Sequence, residues 1–527
     1  MTNSRDPEAF AVTEPRVRFI AHEIQRLLAL VELEHNGKPV QVDGFRLKNL
    51  ERWTGYSVPS AMNALTPISS FCNSKCQFCF EENVPFTRDR SLMSLAEART
   101  RLKYYSPETG RSLFPSGRFH MEPFVHPRAL EIIELARKRE PGKLFWITSN
   151  GSHFTEDVVR RLAELRPIIF KLSLNASDPK VNQDLMKTGR RTAIALESPR
   201  LLQKYRIPFM GGIVAWPTMT LENIRDTVHY LEQFEPYAIR IRLPLAHQWL
   251  KHQLNVDFHE HWRKVGEFAR TLRPEVSVPL FVEPPIYWIN AIVPEIDGVV
   301  LHSPAHRAGL RAGDVVRQIN GHAVRTRIES EALLDQAHLR HDPLVEITVE
   351  RNGQLIAASL REEENTPDAY PYSANVFYRG ENYGIFHVED FRLKYIQHII
   401  DLVRQYDART VFLFCSVIVA PIVKIIIDAV PEFRSALGDI QLMIETIEEN
   451  DFGGNYDVMD GRMVSDFARV IQRRIGEGIR PDLILIPDAF GGPWGMDLHG
   501  ESVERLAMEF KTPVERIEWL LVYGREV

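Results

Sequence analysis

The sequence predicts an α/β protein made of three folded parts in series. Three observations carry this reading. From about residue 61 to 283, apolar strand-like runs alternate with helical stretches. Between about 286 and 360, two Asn-Gly steps flank a run of strict period-two alternation. From about 369 to 527, buried strand-like runs again alternate with amphipathic helices. The first part reads as a parallel βα array, either closed in part as a (βα)6 barrel or open as a doubly wound sheet. The second reads as a small β domain and the third as an α/β domain.

Composition narrows the class. A chain of 527 residues is too long for one ordinary core, and 44% hydrophobic content suffices for folded domains throughout. The formal net charge is −6, with acids and bases nearly balanced, so no basic footprint argues for nucleic acid. Met1 to Glu8 is polar and lacks an apolar signal core. The longest apolar run, Val411 to Val423, contains Ser416 and Pro421 and stops at Lys424. It is shorter than the ~20 residues that span a bilayer. A cytoplasmic protein without a membrane partner is expected, and sparse cysteine agrees with a reducing compartment.

Taken in order, residues 1–60 form an N-terminal extension. It has a polar tip, helical spacing over Val17–Leu30 (Ile20, Ile24, Leu27, Leu28) and a hairpin-like piece at Asn36-Gly37. Residues 61–283 hold six predicted strands: Ala64–Ile68, Arg118–Met121, Leu144–Thr148, Ile168–Leu174, Pro208–Val214 and Ile239–Leu243. Among the intervening helices, Ser94–Tyr104 opens with a capping-box pair, Ser94 and Glu97, and Pro127–Arg139 places proline first. In a parallel array, ligands belong at the carboxyl ends of the strands.

At that end, after the first predicted strand, lies Cys72-Asn73-Ser74-Lys75-Cys76-Gln77-Phe78-Cys79-Phe80, which holds three of the four cysteines as C-x3-C-x2-C. Thiolate is a soft ligand for iron–sulfur clusters, zinc or copper(I). Three thiolates on one short loop can hold three corners of a [4Fe–4S] cube and leave the fourth iron open for chemistry. A structural zinc site wants four closed ligands, usually as two pairs; no second pair exists, and the nearest downstream histidine is His120.

With Phe78 ahead of the last cysteine, this stretch resembles the signature of the radical SAM superfamily. The resemblance favours the partial barrel. It implies a [4Fe–4S] cluster on Cys72, Cys76 and Cys79, with S-adenosylmethionine (SAM) on the fourth iron. It also implies an external flavodoxin- or ferredoxin-like electron donor and a 5'-deoxyadenosyl radical. Phe78 joins the implied cofactor-binding set. Phe119-His120-Met121-Glu122-Pro123 sits where the family has Gly-Gly-Glu. The resemblance aims Glu122 at the methionine ammonium, although His120 and Met121 replace the glycines; an N-cap or surface role is the alternative. Thr148-Ser149-Asn150-Gly151 is similar to the family's Thr-Asn-Gly turn. Ser173 and Asn175 fall where the family contacts the ribose, or Asn175 or Ser177 caps a helix. Gly211 and Gly212 resemble the adenine-contacting strand, or mark a bulge. Arg242 binds a carboxylate or pairs with an acid.

Glu283-Pro284-Pro285 reads as a boundary. Beyond it come Gly298-Val299-Val300-Leu301-His302-Ser303-Pro304-Ala305, then Ala308-Gly309-Leu310, Gly313-Asp314 and Asn320-Gly321. This order closely resembles a bacterial-type PDZ domain over about 286–360. The second turn is Asn352-Gly353, after a strand in which Val345, Ile347 and Val349 alternate with polar residues. A PDZ groove adds a peptide along a strand edge; a spacer that binds nothing is the alternative. Arg361 to Asp368 is a charged linker.

In the last part, Val411–Cys415 and Asp482–Pro487 read as strands, and Val419–Val430 and Met463–Arg474 as helices. The stretches Glu449–Val458 and Ile486–Gly492 resemble an uncharacterised domain that accompanies radical SAM and PDZ modules in a bacterial family. There the PDZ module usually comes first; here it lies in the middle. Asn450, Asp451 and His499 line a site or form turns, and Cys415 reads as core. With Cys415 the one cysteine outside the loop, the sequence excludes an auxiliary cysteine-held cluster within this chain.

Three functions compete: radical SAM chemistry on a peptide or protein tail docked by the PDZ module; the same chemistry on a small molecule, with the PDZ module holding a partner; and a non-catalytic iron–sulfur PDZ protein that binds or senses redox state.

Overall fold

The structure, a computed structural model, describes residues 33–35, 38–40, 65, 68–69, 71–79, 92–105, 113–114, 121–244, 256–283, 285, 292–361, 370–371, 383–387, 393–417, 419–448, 462–487, 497 and 501–517. At the N-terminus, β1 (Leu33–His35) and β2 (Lys38–Val40) pair antiparallel around the predicted turn. The helix predicted over 17–30 lies outside the described residues.

Five parallel strands form the first large sheet: β3 (Phe145–Ser149), β4 (Ile168–Ser173), β5 (Phe209–Val214), β6 (Ala238–Arg242) and β7 (Leu280–Glu283). Their spatial order is their chain order. Parallel crossovers are right-handed, so strands added in sequence put every connecting helix on one face. A doubly wound sheet would reverse its order part-way. The singly wound array therefore agrees with the partial barrel.

The strand count departs from the predicted six. Leu65 and Ile68 lie in no strand, and Ser69 forms only an isolated antiparallel bridge with Leu92. Met121 is not in a strand either, and residues 118–120 lie outside the described ones. In their place β7 closes the described sheet at the Glu283-Pro284 boundary; four residues are too few for periodicity to register.

Side-chain alternation gives this sheet two unlike faces. Phe145, Ile147, Phe170, Leu172, Phe209, Ile213, Ile239 and Ile241 are buried on the helix side. Gly211 lies on that side too: a Cβ there would stand 2.7 Å from Leu231 Cδ1, on helix Leu221–Glu232. The opposite face carries Lys171, Ser173, Gly212, Arg240, Arg242 and Glu283. Helix starts follow local sequence. Thr155, Asp178 and Asp257 cap by side chain, and Thr220 with Asn223 completes a capping box. The predicted Ser94–Glu97 box is half formed, because Ser94 accepts from the Glu97 amide while the Glu97 carboxylate pairs with Arg101 at 2.7 Å. The predicted 127–139 helix begins at Ala129, two residues past its proline.

The β domain opens with β8 (Gly298–Val299). Its main sheet has the order β10 (His322–Ala323), β9 (Val315–Ile319), β11 (Val345–Arg351), β12 (Gln354–Leu360). Asn320-Gly321 and Asn352-Gly353 all have positive φ, as the two predicted hairpin turns require. The predicted 286–360 span is incomplete. After the linker the chain returns as β13 (Ile385–Phe386), which pairs antiparallel with β8, and Tyr383 and Ile385 enter this domain's core. A two-residue strand carries no pattern that a sequence reading could detect.

Phe386 points the other way, onto the first sheet. Its ring centroid lies 5.0 Å from Phe281 and 6.4 Å from Tyr237. Gly298 sits against Pro279, where a Cβ would approach within 2.5 Å. Buried Asp297 receives Arg273 at 3.4 Å and Arg327 at 3.3 Å. The β domain is thus seated at the amino ends of β6 and β7.

The last domain has its own core around a parallel sheet of order β15 (Gln441–Thr446), β14 (Thr410–Cys415), β16 (Leu483–Pro487), β17 (Val514–Ile517). The order reverses between β14 and β16, which makes this sheet doubly wound. β15 and β17 were not predicted. The predicted helices appear as Ala420–Ala429 and Val464–Gly476. Cys415 is buried in that core. Asn450, Asp451 and His499 lie outside the described residues. No described helix is long and apolar enough to cross a membrane.

Candidate functional site

The cysteine loop is clipped to the end of helix Pro179–Met186. The last carbonyls of a helix have no partner within it. Here the Lys75 amide donates to Met186 O at 3.1 Å, the Gln77 amide to Leu185 O at 2.9 Å, and Gln77 Nε2 to Asp184 O at 2.9 Å. The Cys79 amide donates to Cys76 O at 3.1 Å, which turns the loop. Cys72, Cys76 and Cys79 form no disulfide, and each is partly exposed. Phe78 leans inward, its ring 6.2 Å from that of Trp216, just past β5.

Glu122 and the turn after β3 bind to the other side of this loop. Glu122 is buried and accepts three hydrogen bonds: from Ser149 Oγ at 2.9 Å, from the Phe124 amide at 3.2 Å and from the Asn150 amide at 2.7 Å. The Asn150 side-chain amide then reaches the loop, donating to Ser74 Oγ at 2.9 Å and Asn73 Oδ1 at 3.1 Å, with Cys72 Sγ at 3.9 Å. Asn73 Nδ2 returns a bond to Ser152 Oγ at 2.9 Å. Glu122 thus stands one residue from the cysteine loop, at the carboxyl end of β3. The residues missed by sequence reasoning are the linkers, Ser74 and Ser152, which carry no motif of their own.

The remaining predicted residues divide. Ser173 is half-buried at the carboxyl end of β4, next to Gly212 on the face away from the helices. Gly212 lies on that face, where among the described residues a Cβ would meet only Leu172 O at 3.4 Å and Arg240 Nη2 at 3.9 Å. Gly211 instead makes room for Leu231 on the helix side. Asn175 neither caps a helix nor points into an open site. Its Oδ1 accepts from the Val214 amide at 2.7 Å, and its Nδ2 lies 3.2 Å from Met186 Sδ, while Asp178 caps the helix. Arg242 pairs with an acid, its Nε 3.8 Å from Glu283 Oε1.

Burial dominates the electrostatics. It pushes the Glu122 carboxyl up to about 7, against the lowering effect of its three donors. Among the described residues Glu122 forms no ion pair, so a cation beside it would stabilise its charged form. Burial likewise raises the Cys72 thiol, with the nearby Glu122 charge adding to the effect. A bound metal would reverse that and hold thiolate.

The Radical SAM superfamily matches residues 66–231, and the PDZ domain family matches residues 295–351. The chain carries a radical SAM domain followed by a PDZ domain. No curated protein is significantly similar to the chain. Similar solved structures include Streptococcus suis SuiB bound to S-adenosylmethionine, at 15% identity, 52% of this chain, 63% of that one and a TM-score of 0.35. Another is the same protein bound to precursor peptide SuiA, at 17% identity, 52% and 62% coverage and a TM-score of 0.34. Methylornithine synthase (PylB) follows at 15%, 52%, 77% and 0.30. The chain spans less than two thirds of the length of the SuiB chains it resembles.

The donor set of the radical SAM domain suits an iron–sulfur cluster: three soft thiols outside any disulfide on one anchored loop, with Cys415 buried in a separate core. Among the described residues no three His, Cys, Asp or Glu side chains converge to cage a single ion. On a cluster each thiolate would meet a different iron.

Proposed function

We propose that this chain is a radical SAM enzyme in which Cys72, Cys76 and Cys79 hold a [4Fe–4S] cluster and Glu122 binds the SAM ammonium. The observation that supports this best is the continuous hydrogen-bonded path from Glu122 through Ser149 and Asn150 to Ser74, Asn73 and Cys72. It ties a buried acid, without an ion pair among the described residues, to the thiol loop at the ligand-binding end of a parallel sheet. When bound, the cluster and SAM supply reductive cleavage of the sulfonium and a 5'-deoxyadenosyl radical for hydrogen abstraction, with the electron from a flavodoxin- or ferredoxin-like donor. The chain's residues do the positioning. Asn150 fixes the loop, Glu122 offers a charge-assisted acceptor, and Ser173 and Gly212 leave a hydroxyl and an open backbone beside the strand ends. Asn175 holds the Val214 amide, Gly211 makes room for Leu231, and Phe78 braces the loop against Trp216.

The PDZ module sits at the amino ends of β6 and β7, away from the cysteine loop. This placement supports a docking role for a protein partner or for a peptide long enough to reach around the barrel. The reading is tested by anaerobic reconstitution of the full chain. Reduced protein with SAM releases 5'-deoxyadenosine, and alanine at any of Cys72, Cys76 or Cys79 abolishes both the iron–sulfur spectrum and the release, while Cys415→Ser keeps both. Tetrahedral zinc at the loop, or a cluster whose spectrum ignores SAM, would overturn it.

A further inference from the structure

The edge of the cysteine loop carries charge that the site described above does not use. Lys75, inside the loop, is exposed, and so are Lys187, Arg190 and Arg191. Backbone and side-chain contacts bring these residues together. The Lys75 amide donates to Met186 O at 3.1 Å, one residue before Lys187. Arg190 and Arg191 follow in the short turn Gly189–Arg191. Arg191 Nη1 donates to Ser152 O at 3.4 Å, and Ser152 Oγ in turn accepts from Asn73 Nδ2 at 2.9 Å. A collar of four exposed cations therefore borders the loop where it meets helix Pro179–Met186 and the turn after β3.

Among the described residues none of the four forms an ion pair. Asp184, whose carbonyl accepts from Gln77 Nε2, brings one exposed carboxylate to this edge. Glu81 and Glu82, next along the chain after Phe80, lie outside the described residues. The negative pole of the helix accounts for one cation at most, Lys187. Its last carbonyls are already occupied by the Lys75 and Gln77 amides, and Arg190 and Arg191 lie beyond the helix. Their field is felt nearby: burial first, and then the Arg191 charge, hold the His153 imidazole down to about 4. The whole chain carries a formal charge of −6, so this edge is opposite in sign to the protein.

We infer that this collar is the docking surface for the electron donor, an acidic one-electron carrier protein. The inference rests on the radical SAM reading for the need of an electron. It adds where the donor lands and what charge its surface carries. A net-negative chain repels an acidic carrier on average, whereas a patch of opposite sign steers the encounter and fixes its orientation. Lys75 stands next to Cys76 in the loop, so a carrier held at the collar lies against the cluster's own ligands. The docked carrier gives up one electron and is oxidised. The cluster on Cys72, Cys76 and Cys79 is reduced by that electron, and no proton or group is transferred.

The test uses the anaerobically reconstituted full chain and two reductants: reduced flavodoxin, an acidic protein carrier, and reduced methyl viologen, a small cation that needs no docking surface. Release of 5'-deoxyadenosine driven by flavodoxin is expected to slow about tenfold or more from low to high salt, as steering is screened. The double variant Lys187→Glu, Arg190→Glu should lose about the same factor in kcat/KM for flavodoxin at low salt. Its viologen-driven rate should stay the same or rise. Calorimetric titration with oxidised flavodoxin reads the same surface without turnover, and the double variant should bind about tenfold more weakly or worse. Should the double variant fail to take up a cluster, Arg190→Gln and the salt series on the parent carry the comparison, each expected to slow the flavodoxin arm alone. A flavodoxin-driven rate indifferent to salt, or equal in parent and variants, overturns the docking surface. So does a loss shared equally by the viologen arm, or a parent that binds duplex DNA in preference to flavodoxin. A parent that binds flavodoxin in a salt-sensitive way yet releases no 5'-deoxyadenosine with either reductant overturns the radical reading instead.

Discussion

Gly211 and Gly212 are neighbours in β5 with opposite duties, and alanine at each position separates them. At 211 a Cβ would lie 2.7 Å from Leu231 Cδ1 and 3.4 Å from Cδ2. Leu231 is fully buried, so it has no solvent to swing into. Overpacking of this kind costs about 1–3 kcal/mol. At about 2–4 °C per kcal/mol for a domain of this size, Gly211→Ala lowers the Tm by roughly 2–12 °C. At 212 the new Cβ meets, among the described residues, only Leu172 O at 3.4 Å and Arg240 Nη2 at 3.9 Å, both ordinary contacts. Losing glycine's chain entropy there is worth up to about 1 kcal/mol. Gly212→Ala therefore melts at or slightly above the parent. Calorimetric melting of the three proteins decides it. Equal Tm values for the two variants, or a loss confined to Gly212→Ala, would refute the assignment of the two sheet faces.

Other outcomes follow from the same geometry. With its carboxyl raised from 4.5 to about 7, Glu122 favours the protonated form in the folded chain. Its contribution is complete below about pH 4.5 and is lost as pH rises through about 7, a fall of about 3 kcal/mol in the cofactor-free protein. Denaturant titrations across that window should show the slope, and Glu122→Gln should flatten it; a parent profile already flat would count against burial as the dominant cause. Asn150→Ala removes the amide that ties β3 to the cysteine loop and costs about 1–3 kcal/mol. Reconstituted protein should then surrender iron to a chelator faster, and unchanged iron retention would contradict the anchoring role. Phe386→Ala empties a fully buried site between Phe281 and Tyr237 and costs about 3–5 kcal/mol. For the same reason a 61–283 fragment, which lacks Phe386, should be less stable than the intact chain. A fragment with the parent's melting transition would show that the barrel is closed without it.

The cysteine loop, Glu122, four of the sheet's five described strands and both PDZ hairpin turns were legible in the sequence. Each is encoded locally: in ligand spacing, in apolar runs bounded by turns, or in the positive φ that Asn-Gly accepts readily. What each strand-end residue does was not legible, because that depends on which face it lands on and what packs there. Asn175 and Gly211 looked like ligand contacts and are occupied by Val214 and Leu231. Arg240 and Arg242, spaced by two in a buried strand, did carry a signal that both share one face, yet their common partner Glu283 comes from a strand too short to predict. The return of residues 383–387 to complete the PDZ sheet and close the barrel floor is likewise a long-range event. Periodicity and motif spacing report only on neighbours along the chain. The pairing of a two-residue strand, the burial of an acid and the sharing of one carboxylate by two arginines are set by contacts between distant segments, and only the tertiary structure decides them.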